Sequence, residues 1–85
     1  MSVFGAVRKP GLIDLPQGQE WSVVDALSAA GDLSETADQK HIKLKRHGNT
    51  TIFEFRGLLD ATDPSKNPKI ESGDIIFVPL KKLNF

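Results

Sequence analysis

The chain contains no cysteine, which excludes disulfides, thiolate metal sites and cysteine-ligated iron–sulfur clusters. No apolar run approaches the roughly 20 residues that a transmembrane helix needs, and the residues before Val3 do not have the pattern expected of a signal peptide. Charge of one sign is not in excess either, because eleven Lys and Arg residues balance eleven Asp and Glu residues. Dedicated nucleic-acid-binding modules usually carry a basic excess. We therefore expect no nucleic-acid partner and no insertion of this domain into a membrane.

Sequence motifs for catalysis are also absent. No Gly-x-Ser-x-Gly nucleophile elbow and no Gly-x-x-x-x-Gly-Lys phosphate loop occurs. The two histidines, His41 and His47, fall on one predicted strand, where their spacing separates them by roughly 20 Å, too far to share a metal ion. The aspartates occur in predicted turns and caps, where Asp makes local hydrogen bonds. We predict a non-enzymatic chain without catalytic residues, metal ligands or cofactor.

The 85 residues are enough for one small domain with a modest core. A strand begins almost directly after Met1, so we interpret residues 1–85 as a single domain taken from a larger protein. The order of elements predicts an α+β fold.

Two segments, 3–7 and 75–78, are apolar at every position. A strand that is open to water on one face should alternate apolar and polar residues, so both segments are predicted to be central strands covered on both faces. One helix covers only one face of a sheet. We therefore expect the other face of the sheet to be covered by segment 57–70 or by another domain or subunit. The predicted interaction face consists of Phe4, Ala6, Ile76 and Val78.

Glycine and proline mark the ends of these strands. Gly5, inside the first strand, predicts a close approach of helix or backbone. Pro10 and Gly11 fit the two central positions of a type II turn, which leads into a second strand over 12–15 that ends at Pro16. Because type II turns match hairpin twist poorly, we expect a loop longer than two residues. Gly73 and Asp74 turn the chain into the last strand.

A helix is predicted after Ser22, which can cap its N-terminus together with Asp25 in a capping box. Gly31 is the expected C-terminal stop. The apolar stripe that would face the sheet has the helical spacing i, i+3, i+4 and i+7 and consists of Val23, Ala26, Leu27 and Ala30.

A hairpin is predicted around a Gly48-Asn49 turn. In that register Lys43 lies opposite Glu54 and Leu44 opposite Phe53, so that unlike charges and apolar side chains pair across the strands. The apolar face of this hairpin would consist of Ile42, Leu44, Phe53 and Phe55.

Two groups of residues could bind a ligand, and each of them has two interpretations. Trp21 either packs at the helix entrance or stacks on a sugar ring. The basic residues are either solvated or hold an anionic sugar or another acidic partner. They lie in the first turn, on the hairpin and after the last strand: Arg8, Lys9, Lys43, Lys45, Arg46, Lys81 and Lys82.

Four segments together resemble one known family. They are VFGAV with KPG at 3–11, SVVDALSAAGDL at 22–33, IKLKR at 42–46 and GDIIFVP at 73–79. This combination is similar to the soluble-ligand-binding β-grasp (SLBB) domain, over nearly the whole chain. The family often has two glycines after the helix, and here the second position is Asp32. The resemblance implies a β-grasp-like mixed sheet of about five strands on one main helix, with the first and last strands central and parallel.

The motifs look most similar to SLBB domains of bacterial polysaccharide export proteins. This resemblance implies a periplasmic or outer-membrane-associated parent protein that exports capsule or exopolysaccharide. It also implies partners among the other domains or subunits of a ring-shaped assembly, and possible contact with the polysaccharide. The alternative is a carbohydrate- or small-ligand-binding module in a cobalamin-linked, respiratory or DNA-uptake protein.

Overall fold

A computed structural model describes residues 1–14, 18, 20–59 and 68–81. The predicted strand end at Pro16, residues 60–67 of the 57–70 segment and Lys82 lie outside these residues. The elements in chain order are β1 (Ser2–Gly5), β2 (Gly11–Leu12), α1 (Val23–Ala29), β3 (Ile42–Arg46), β4 (Asn49–Phe53), α2 (Phe55–Leu59) and β5 (Ile75–Val78).

The strands form one mixed sheet in the order β2-β1-β5-β3-β4. β1 and β5 are parallel neighbours at its centre, and the other pairs are antiparallel. The predicted α+β class and the β-grasp-like sheet are confirmed, with α2 as a second, short helix. The core lies between the sheet and α1, where Val3, Ile76 and Val78 pack with Leu27.

Gly5 is the point of closest approach between β1 and β5. Its φ is +94°, and a Cβ built there would lie 2.1 Å from the carbonyl oxygen of Val78. The N–H of Ala6 donates to that same oxygen at 2.8 Å. The predicted close approach is therefore one of backbone to backbone. β1 ends at Gly5 instead of residue 7, because the positive φ turns the chain out of the sheet.

The N-terminus of α1 has the predicted capping box. The Ser22 hydroxyl accepts from the N–H of Asp25 at 3.3 Å, and the Asp25 carboxylate accepts from the N–H of Ser22 at 2.9 Å. The helix ends where Gly31 takes a φ of +80°. The four residues of the predicted apolar stripe are all buried: Val23, Ala26, Leu27 and Ala30.

The loop between β1 and β2 lies against the end of α1. Its N–H groups at Arg8 and Lys9 donate to the carbonyls of Asp32 and Ala30, at 3.1 and 2.8 Å. The loop spans residues 6–10 and is longer than two residues, as expected. Gly11 keeps a positive φ but at +141°, away from the +80° of a type II turn, and it already belongs to the two-residue β2. The predicted strand over 12–15 is therefore shorter and starts earlier.

The predicted register of the β3–β4 hairpin is wrong by two residues. The turn residues are His47 and Gly48, both with positive φ, +50° and +80°. This is the type I′ geometry that matches the twist of a two-residue hairpin. Lys43 consequently lies opposite Ile52 instead of Glu54, and Leu44 opposite Thr51. A shift of two keeps every side chain on its predicted face.

The chain leaves β4 earlier than the predicted register requires. Phe55, expected opposite Ile42 in the sheet, is the first residue of α2, and Phe53 takes the place opposite Ile42. Glu54 supplies the carbonyl that accepts from the N–H of Leu58 at 3.1 Å and so begins the helix. Leu58 is buried in the core together with the apolar stripe of α1.

Replacing Gly5 by alanine tests the close approach of β1 to β5. Gly48→Ala is the matched control, because Gly48 also has a positive φ but would have no neighbouring atom within 4 Å of an added Cβ. We expect the control to lose about 1 kcal/mol of unfolding free energy from backbone strain. Gly5→Ala should lose at least about 2 kcal/mol more, since β1 must move away from Val78. Urea denaturation followed by circular dichroism measures both values; equal losses would contradict the close approach.

Candidate functional site

The face of the sheet opposite α1 carries apolar side chains that no described residue covers. Phe4 is 44% exposed, Ile75 38%, Phe77 37% and Ile52 56%. Phe4 lies beside Phe77, and Lys43 lies between Phe77 and Ile52, so these residues form one row across four strands. We call this surface the open face; it consists of Phe4, Lys43, Lys45, Ile52, Ile75 and Phe77.

The described residues cover both central strands on the α1 side only, so their cover by another domain or subunit on the other face stays a prediction. The predicted interaction face combines residues from the two sides of the sheet. Ala6, Ile76 and Val78 are buried in the core, and of the four predicted residues only Phe4 is exposed. The reason is the two-residue period of a strand, which sends Ile76 towards α1 and its neighbours Ile75 and Phe77 away from it.

The side chains of Lys43 and Lys45 lie on the open face because successive residues of β3 point to opposite faces of the sheet. Their neighbours Ile42 and Leu44 are buried on the α1 side. In the pairing with β5, Lys43 lies opposite Phe77 and Lys45 opposite Ile75. Neither ammonium group forms an ion pair within the part of the chain that the structure describes. The open face is thus apolar at its centre and positively charged beside it.

A groove continues the open face at the end of the sheet where β3 begins and β5 ends. Its volume is about 1120 Å³, slightly above the roughly 300–1,000 Å³ of typical ligand pockets. Lys43 and Ile52 belong to both surfaces. We call it the end groove; it is lined by Asp38, Gln39, Lys40, His41, Lys43, Ile52, Glu54, Arg56, Pro79, Leu80 and Lys81.

Basic side chains outnumber acidic ones in the end groove. Of its acids, Asp38 is already engaged: its carboxylate contacts His41 Nδ1 at 2.7 Å and accepts from the N–H of Lys40 at 3.1 Å. Burial raises the pKa of Asp38, but these hydrogen bonds together outweigh it, and the pKa lies below its usual value. The cations Lys40, Arg56 and Lys81 remain without an ion-pair partner among the described residues.

The other predicted ligand-binding residues lie elsewhere. Trp21 is half-buried just before α1 and lines a shallow depression with Glu20 and residues of that helix. Its carbonyl accepts from the N–H of Ile70 at 2.7 Å, which fixes the helix entrance. Arg8 and Lys9 are exposed beside the C-terminal end of α1. The structure therefore does not bring Trp21, Arg8 and Lys9 together with Lys43 and Lys45.

Arg46 forms an ion pair with Asp74, although the sequence groups Arg46 only with the other basic residues. Arg46 Nε and Nη2 donate to the two carboxylate oxygens at 3.0 and 2.7 Å. Nη2 also donates to the carbonyl of Lys69 at 2.8 Å. The alternation of β3 does contain a signal for this pair. Arg46 falls on the same face of the strand as Ile42 and Leu44, which points towards the core, and a charge there requires a partner.

Asp74 is 2% exposed and fully hydrogen-bonded. Besides Arg46, the N–H of Glu71 donates to its carboxylate at 2.8 Å. Its own carbonyl accepts from the N–H of Ser2 at 3.0 Å. Burial raises the pKa of Asp74, but the hydrogen bonds from Arg46 and Glu71 outweigh burial and hold the pKa below its usual value. The predicted turn into β5 is therefore also a junction of β1, β3 and β5.

The Arg46–Asp74 pair gives a pH-dependent contribution to stability. Because the folded pKa of Asp74 is depressed, the contribution is present above the ordinary pKa of 3.8 and is lost as the pH falls below that value. We expect Asp74→Asn to lower the unfolding free energy by about 2 kcal/mol at pH 7, with the difference from wild type shrinking towards pH 2.5.

Urea unfolding between pH 7 and pH 2.5 measures this difference. Asp14→Asn is the control, since Asp14 is exposed and should change the unfolding free energy by less than about 0.5 kcal/mol. A difference between wild type and Asp74→Asn that stays constant with pH would show that the carboxylate charge is not the stabilising feature.

Neither a metal centre nor a membrane-spanning helix is found in the described ranges. No three His, Asp or Glu side chains there lie close enough together to hold a metal ion. No helix there is long and apolar enough to cross a bilayer. In a comparison with known protein families, the family described as SLBB domain matches residues 1–78. The match includes every element of the sheet and both helices.

Proposed function

The chain belongs to the SLBB domain family, and we propose that it is a non-enzymatic interaction module of a bacterial polysaccharide export protein. SLBB domains are ligand-binding modules of the β-grasp type, and the mixed sheet with parallel central strands has that form. In this proposal the module contributes to assembly of the exporter through its open face. Its parent protein is periplasmic or associated with the outer membrane.

The open face carries this proposal. Phe4 and Phe77 lie side by side on the two parallel strands, with Ile75 two residues from Phe77 on β5, and all three are exposed. Ile52 adds exposed apolar surface on β4, beyond Lys43. Contiguous exposed apolar surface of this kind marks interaction sites in soluble domains. The occupant we propose is another domain or subunit of the same export assembly.

Charge defines the chemistry of that occupant. Lys43 and Lys45 project beside the apolar row without acidic partners in the described part of the domain. A complementary surface would place apolar side chains over Phe4 and Phe77 and acidic side chains next to the two lysines. Desolvation of the rings supplies affinity, and the charges set the orientation.

Photocrosslinking in the intact parent protein tests this role. A benzophenone side chain in place of Phe77 should crosslink to a neighbouring domain or subunit, because Phe77 lies at the centre of the open face. The matched control replaces Ala29, which is exposed on α1 on the opposite side of the sheet. Crosslinking from position 29 but not from position 77 would exclude the open face as the assembly surface.

Carbohydrate binding is the second candidate function, and the end groove favours it. Lys40, Arg56 and Lys81 are free to bind carboxylates within the described part of the chain, while Leu80 and Ile52 offer exposed apolar surface to the face of a sugar ring. The ligand class that fits is an acidic oligosaccharide. A ligand of this kind would be compatible with polysaccharide export and with the alternative parent systems named above.

Titration of the isolated chain with oligogalacturonate, followed by amide NMR shifts, tests this second function. We expect saturable shifts in the end groove, and a loss of affinity of roughly 5- to 10-fold in Arg56→Gln or Lys81→Gln, each of which removes one charge-assisted contact. Lys9→Gln is the matched control, because Lys9 lies at the far end of α1. Shifts centred on Trp21 or Lys9 would move the site there, and equal binding of a neutral oligosaccharide would exclude an acid-specific groove.

A further inference from the structure

β4 lies at one edge of the sheet, and the described residues leave its free edge and both of its faces exposed. It ends the sheet order, so one side of its backbone pairs with β3 and the other with no described strand. Its first four residues are also exposed to solvent on both faces of the sheet. The opposite edge differs, since β2 has only two residues.

The hairpin geometry identifies the free backbone groups of β4. In a two-residue hairpin the pair next to the turn, here Arg46 and Asn49, is hydrogen-bonded, and the two kinds of pair alternate from there. Thr50 and Ile52 therefore belong to the non-hydrogen-bonded pairs with Lys45 and Lys43. Their N–H and C=O groups point away from β3, towards the open edge.

Within β4 itself, the features that usually prevent strand pairing are absent. Natural edge strands are guarded by lysine, proline, bulges or short length. β4 reads Asn-Thr-Thr-Ile-Phe, without charge, proline or glycine, and pairs regularly along its five residues. β-Branched residues occupy its three central positions, and these favour strand pairing.

We propose that β4 binds the β4 strand of a second copy of this chain, antiparallel and centred on Thr51. This inference rests on the proposed role in assembly and names its partner. In this register Thr50 lies opposite Ile52 of the second copy, so every free N–H and C=O group of both strands is used. The two Thr51 side chains meet on the two-fold axis, where a Thr–Thr pair is favourable.

Two features of β4 and of the residue after it are compatible with pairing centred on Thr51. Because β4 is uncharged, no like charges oppose each other across the axis. Shifting the pairing so that Ile52 meets Ile52 would require Glu54 to pair as well, but the carbonyl of Glu54 already accepts from Leu58 at the start of α2. Centring on Thr51 avoids this conflict and leaves the two open faces on the same side of one continuous sheet.

A charge-swap experiment at Thr51 tests this inference with the 85-residue chain itself. Thr51 is exposed, so Thr51→Lys and Thr51→Glu should fold normally, while each places like charges opposite one another in the dimer. Sedimentation equilibrium should give the wild-type chain a dimer dissociation constant below about 1 mM. Either variant should raise this dissociation constant at least 10-fold. Mixing the two variants should restore dimers. Thr51→Gln is the uncharged control and should dimerise.

Backbone pairing is tested separately at Thr50. Thr50→Pro removes an N–H that points to the open edge and spares the β3 hydrogen bonds, whereas Thr50→Val keeps the N–H. We expect only the proline variant to lose dimerisation, and amide exchange at Thr50 and Ile52 to slow with rising wild-type concentration. If Thr50→Pro does not fold, the mixture of Thr51→Lys with Thr51→Glu decides whether β4 pairs with a second copy.

The inference would be overturned by a wild-type chain that stays monomeric to about 1 mM, by dimers unaffected by Thr51→Lys, or by no recovery of dimers in the mixture. Dimers that protect Phe4 and Phe77 without protecting the β4 amides would likewise overturn it and point to face-to-face contact. The proposed assembly role through the open face is tested at Phe77, outside β4, so failure of one does not decide the other.

Discussion

The parallel pairing of β1 with β5 is the constraint on which the rest of the structure depends. It joins the two ends of the described chain, and it requires glycine at position 5, where the backbone passes within contact of Val78. The positive φ of Gly5 then directs the next residues off the sheet and against the end of α1. At the other end of β5, Asp74 accepts from Ser2 and pairs with Arg46, which links β3 to the same junction.

A sheet built in this way has one helix-covered face and one that the described residues leave uncovered. α1 is only seven residues long, and its buried stripe of small and branched side chains covers Val3, Ile76 and Val78. The alternate residues of the same strands are equally apolar but point the other way, and they are not needed for the core of this domain. Their apolar character is explained if another domain or subunit covers them, as we propose. The end groove and the β4 edge adjoin this face and extend the surface available to partners.

Much of the fold could be predicted from the sequence because local chemistry specified it. Ser22, Asp25 and Gly31 mark the helix through capping and a positive φ, and Gly5 marks a close approach through its position in an apolar strand. The face of the hairpin on which each side chain lies was also predictable, since the two-residue alternation along a strand is enough to assign it. The register was not, because Gly48-Asn49 and His47-Gly48 are both chemically acceptable turns, and the choice of His47 in a positive φ depends on pairing over the whole strand.

The candidate site was less predictable, because it depends on distances through space. The alternation of β3 predicts that Lys43 and Lys45 share the face opposite Ile42 and Leu44, but nothing in the sequence relates them to Phe77 or separates them from Arg8 and Trp21. The Arg46–Asp74 pair spans most of the second half of the chain and became visible only in the folded structure.

The most direct test of the open face as an assembly surface is hydroxyl-radical footprinting with mass spectrometry, comparing the isolated chain with the intact parent assembly. Oxidation of Phe4 and Phe77 should be strong in the isolated chain and suppressed in the assembly, while the exposed Leu59 on α2 serves as the internal reference. Equal oxidation of both phenylalanines in the two samples would contradict the account, because the face would then be open to water in the working protein.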